Sequence, residues 1–149
     1  MLLMRLAMSI KPKDIIKGFK DIEKDRNKLD IINDEIVRLS AIMYSAKTAT
    51  IKQEHEMGNG DFSNAYNTPL LNEIELMDKL EKEKNKIENR IKALYTIRDK
   101  CSELVKNLIN NVFIEKLYYM NEYSDMLDIH QTTLNRKLNK ELTKIINNA

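Results

Sequence analysis

The chain lacks most of what catalysis, redox chemistry or membrane insertion would require. It has no tryptophan, three phenylalanines, three glycines, two prolines and a single cysteine in 149 residues. One cysteine cannot close an internal disulfide, so a reducing, cytoplasmic setting is expected, with Cys101 a small core residue. The two histidines, His55 and His130, lie far apart, and no Cys/His spacing suited to a metal occurs. A glycine-rich phosphate loop and a Ser/His/Asp layout are missing as well, so neither an enzyme nor a cofactor is expected. The longest apolar stretch, Met1 to Ile10, is interrupted by Arg5 and is too short to cross a bilayer, which argues against a membrane partner. Met1, Met4 and Met8 are three candidate translation starts.

What is present favours helices. Apolar residues make up 42 % and charged residues 32 %, with Lys, Glu, Asn, Ile and Leu abundant and few breakers. From Lys13 to Glu56, Ile15, Phe19, Ile22, Leu29, Ile32, Ile36, Leu39 and Met43 recur at threes and fours with charges between them. Gly18 should weaken the first turns by about 1 kcal/mol. The glycine- and asparagine-rich stretch at about 57–69 predicts a loop, with Phe62 and Tyr66 folding back and Thr68-Pro69 starting the next helix. A second pattern runs from Leu70 to Leu108 through Ile74, Met77, Leu80, Ile87, Ile91, Leu94, Ile97 and Leu104, enough for a helix of roughly 60 Å. Neither helix can bury its stripe alone. The expected fold is all-α: a long antiparallel two-helix hairpin, coiled-coil-like and dimeric, followed by a small helix-turn-helix module. The domains expected are an extension over 1–12, the hairpin over 13–109 and the module over 110–149.

Within that module Asn110-Asn111 predicts a break, and Val112, Phe113, Leu117 and Tyr118 predict a short helix forming its floor. A helix over Glu122 to Leu127 would turn Tyr123 and Leu127 inward, with small Ser124 at a close crossing. Asp128 stands where the turn needs a left-handed residue, which Asp tolerates better than most. The last helix then carries Leu134, Leu138, Leu142 and Ile145 on one face and polar groups on the other. The net charge of +2 is too small to indicate nucleic acid by itself. Its distribution is more telling, because Arg136, Lys137, Lys140 and Lys144 face only Glu141 in the final helix. Amides, hydroxyls and a guanidinium along one exposed helix face are suited to reading base edges. Alternatively, a short amphipathic helix simply ends the chain and its polar face meets water.

The order of hairpin, Ile91-to-Leu94 segment, block Leu108 to Tyr119 and terminal helix-turn-helix resembles phage-encoded regulators of the ArpU/RinA type. The C-terminal module of that family is similar to region four of bacterial sigma factors. Glu122-Tyr-Ser-Asp-Met-Leu-Asp-Ile129 matches the family's Glu-Ile-Ala-x-x-Leu-Gly-Ile in character. His130-Gln-Thr-Thr-Leu-Asn-Arg-Lys-Leu138 matches its Ser-x-x-Thr-Val-x-Arg-x-Leu. Asp128 stands for the family's Gly, and His130 for its Ser or Thr. The resemblance implies a transcriptional regulator, an activator, of phage or prophage genes, with double-stranded DNA and RNA polymerase as partners. By it and by the exposed-face argument, Gln131, Thr132, Asn135 and Arg136 would face bases. Thr133, Lys137, Lys140 and Asn139 would hold phosphates. The alternative is a helical oligomerisation or adaptor protein of phage assembly, such as a small terminase-like packaging subunit.

Overall fold

The computed structural model describes residues 10–57 and 63–148, with side chains described over 10–45 and 71–148. Every regular element among them is helical. In chain order these are α1 (Pro12–Lys20), α2 (Ile22–Met57), α3 (Ser63–Asp99), α4 (Glu103–Leu108), a π-helical segment (Ile109–Ile114), α5 (Met120–Leu127) and α6 (Gln131–Asn147). No helix among the described residues is long and apolar enough to cross a membrane. The three candidate starts and Phe62 lie outside the described residues, as do the side chains of His55 and Tyr66.

The expected boundaries shift in four places. The first helical pattern divides at Asp21, whose N–H reaches both Lys17 O (3.0 Å) and Gly18 O (3.2 Å). The second begins at Ser63 instead of the Thr68-Pro69 cap, so the helix runs through Pro69 without the bond its N–H would have made. The same pattern ends at Asp99 and not at Leu108. There Ser102 is extended (φ −62°, ψ 161°) and its Oγ accepts the Val105 N–H at 3.5 Å, starting α4 afresh. Asn110-Asn111 does not break the chain. The wider π spacing carries it through, with Glu115 N–H on Asn110 O at 2.8 Å. Lys116 then turns left-handed (φ 52°), and Leu117, expected in the floor, points outward at 64 % exposure.

The chain divides into two compact units. The first joins residues up to Arg26 with those from Asn89 onward. Its core includes Ile15, Phe19 and Ile22 from the N-terminal part, Leu94 from α3, and Leu108, Ile109, Phe113, Leu134, Leu138 and Leu142. α1 packs on both the π segment and α6. Pro12 opens α1, and the Asp14 carboxylate accepts the Lys11 N–H at 2.9 Å. Gly18 does not merely weaken α1. A Cβ there would meet Leu94 Cδ2 at 3.0 Å, so glycine allows the end of α3 to approach. Asp25, 5 % exposed, is held by both Nε and Nη2 of Arg90 at 3.0 and 2.8 Å. The guanidinium of Arg98 lies over the Tyr95 ring at 4.5 Å and donates to Asn110 Oδ1 at 3.0 Å, tying α3 to the π segment.

The second unit, 27–88, buries Ile32, Leu39 and Ile87 among its described side chains. Ile31 and Val37 are each 68 % exposed, and Leu71 is 56 % exposed. An Arg38–Glu35 ion pair one turn apart sits on its surface.

Candidate nucleic-acid interface

The junction between α5 and α6 is built by backbone bonds that a short polar sequence can supply. α5 ends with Asp128 in the left-handed region (φ 54°, ψ 39°). Its N–H reaches Asp125 O at 3.2 Å, and the N–H of Ile129 reaches back to Ser124 O at 3.1 Å. These two bonds satisfy the last carbonyls of α5 in the Schellman pattern, with aspartate in the place glycine most often takes. His130 then caps α6: its Nδ1 accepts the Thr132 N–H at 3.2 Å. Ser124 is buried, as its small size at a close crossing suggested, and its Oγ donates to Asn121 O at 2.8 Å. Tyr123 is buried beside Tyr118, their ring centroids 6.0 Å apart. Leu134, Leu138 and Leu142 anchor α6 in the core.

With that face fixed, the candidate side chains can be placed. Gln131, Thr132, Thr133, Arg136, Lys137, Asn139 and Lys140 are exposed, and Asn135 is half-buried. They do not form a single cluster. Gln131, Thr132 and Asn135 line an open hollow of about 660 Å³ together with Asn121, Asp125 and Asp128 of α5 and its turn. Thr133, Arg136, Lys137 and Lys140 line a different one, of about 430 Å³, with Glu141 and Lys144. Helical geometry explains the split, since successive residues are turned by roughly 100°. Arg136 therefore lies with the lysines and not with Gln131 and Asn135, with which the sequence pattern groups it.

The two sides differ in charge. Asp125 and Asp128 bring acid to the hollow beside α5, whereas the other side is basic. Among the described residues, Arg136, Lys137, Lys140 and Lys144 take part in no ion pair. The one carboxylate among them, Glu141, is drawn away: its oxygens accept the Ser102 N–H at 2.6 Å and the Ser102 hydroxyl at 2.8 Å. Sequence reasoning gave Glu141 no role and left Lys144 out of the site. The four-residue step from Arg136 through Lys140 to Lys144 was the available signal. Burial, with the Glu141 charge second, pushes the Cys101 thiol up to about 11, the reverse of what an activated nucleophile requires. No group of His, Cys, Asp and Glu among the described residues is placed to hold a metal ion.

Compared with protein-family models, curated proteins and solved structures, the chain matches none.

Proposed function

We propose that this chain is a sequence-specific DNA-binding transcriptional regulator of phage or prophage genes, acting in the bacterial cytoplasm and not as an enzyme. In this reading α5, the Asp128–His130 turn and α6 form a helix-turn-helix with α6 in the major groove. The carrying observation is the outward face of α6, where Arg136, Lys137 and Lys140 are exposed and, among the described residues, free of ion pairs on a helix anchored by Leu134, Leu138 and Leu142. Gln131 and Asn135 would read adenine and Arg136 guanine, while Thr133, Lys137 and Lys140 would hold phosphates. Thr132 and Asn139 complete the polar face.

The same reading makes α2 and α3 an antiparallel hairpin that pairs two copies and so presents two copies of α6. One observation supports the hairpin: the Asp25 carboxylate of α2 pairs with Arg90 of α3 at 2.8 Å. Exposed Ile31, Val37 and Leu71 favour a second reading, in which the long helices are the working surface of an assembly adaptor or a small terminase-like subunit.

Selection of bound fragments from a phage or host genome tests the first reading. Enrichment of a common sequence motif is expected, with the preference at one of its positions relaxed by Arg136→Ala. Recovery of random fragments by a chain that forms large rings would favour the packaging reading instead.

A further inference from the structure

Resting on the DNA-binding reading, we infer that the phosphate-contacting surface continues beyond the candidate residues, through Lys144 to Lys100 beyond the end of α3, as one strip along a single sugar–phosphate strand. Lys137, Lys140 and Lys144 follow one another at steps of three and four residues, so they lie along one side of α6 and span about 10 Å. That length is enough to meet more than one phosphate of a single strand. The hollow beside Arg136, Lys137 and Lys140 shares Glu141 and Lys144 with a neighbouring hollow of about 380 Å³. Lys100 and Asn148 line this second hollow, and the two together make a continuous path. Lys100 and Lys144 are both exposed, and neither forms an ion pair among the described residues.

Glu141 is the acid that would interrupt this path, and its position removes much of the conflict. Both of its oxygens accept hydrogen bonds from Ser102, at the start of α4. The carboxylate therefore serves the N-terminus of α4, where negative charge is favourable, instead of pairing with Lys140 or Lys144. The lysines remain available for an external anion. A strand of phosphates suits this surface better than one small anion, because the cations are strung out along a helix and none converges on a point. Lys100 and Lys144 would thus set register and affinity without contributing to base choice.

A salt titration of the full chain on a labelled random-sequence duplex tests this. The slope of log K against log salt should flatten by about 0.9 for each of Lys100→Ala and Lys144→Ala, with base preference on the selected motif unchanged. Lys82→Ala, an exposed lysine of the second unit, should leave the slope alone. Glu141→Gln keeps an oxygen for Ser102 and removes the charge, so it should tighten binding on every duplex. Unchanged slopes for Lys100→Ala and Lys144→Ala, in a chain that otherwise binds DNA, would overturn this inference alone. Failure of the unaltered chain to bind any duplex would overturn the DNA reading with it.

Discussion

The two compact units bury their apolar residues to very different extents. In the unit that holds α6, a contiguous cluster from Ile15 to Leu142 draws on the N-terminal part, α3 and everything after it. In the unit 27–88, the described side chains bury Ile32, Leu39 and Ile87 while Ile31, Val37 and Leu71 face outward. A face that must hold one helix rigidly over a ligand benefits from a well-packed core beneath it, although Leu117, Tyr119 and Met126 of the first unit stay exposed. A pair of helices with apolar flanks left open suits association with something else. On the proposed reading, the first unit serves as a platform for α6 and the second as the element that pairs copies.

The largest effect expected from breaking this contrast is at the platform. Leu138→Ala, at a fully buried site, should destabilise the fold by about 2–5 kcal/mol in a denaturant titration. A loss below about 1 kcal/mol would mean that α6 is not anchored as described. Arg90→Ala should come next. It leaves the Asp25 carboxylate buried without its bidentate partner, but Arg90 is half-exposed and water can reach the gap, so about 1–3 kcal/mol is expected by the same measurement. The conservative Arg90→Lys, which cannot make two parallel bonds, should fall between Ala and the parent chain. At the α5–α6 turn the sign reverses. Asp128→Gly relieves a left-handed residue and should stabilise by about 1 kcal/mol, read as a rise in Tm. Destabilisation there would indicate that the Asp128 side chain holds the turn.

The smallest effect on stability belongs to the coupling element. Ile31→Lys with Leu71→Lys should change stability by no more than about 0.5 kcal/mol per site if those side chains face water. On the proposed pairing of copies, the same double variant should shift light scattering toward the monomer. An unchanged mass would place the pairing surface elsewhere.

Much of this contrast was legible in the sequence, and the missing parts share a cause. The periodicity of Ile15, Phe19 and Ile22 and that of Leu134, Leu138 and Leu142 marked the buried faces correctly. Asp128 was readable as the left-handed residue because a short polar side chain followed an apolar pattern at a turn. Periodicity identifies a face but not what covers it, so α1 was assigned to a hairpin when it packs on α6. The restart at Ser102 was missed because the apolar pattern runs on unbroken through Cys101, Leu104 and Val105, although Ser102-Glu103 is a good helix start. Leu117 was assigned inward from spacing alone, whereas the π segment and left-handed Lys116 alter the phase just before it. In the site, exposure followed from helix phase, but the separation of Arg136 from Gln131 and Asn135 depended on where α5 lies. The removal of Glu141 depended on Ser102, which is 39 positions away.

Competition binding of the full chain and its Arg136→Ala variant to a selected duplex and to random DNA decides whether α6 reads bases. A loss of about 1–3 kcal/mol on the selected site is expected, with relaxed preference at one base position and a much smaller loss on random DNA. Equal losses on both, or no binding of the unaltered chain to either, would contradict base reading by α6.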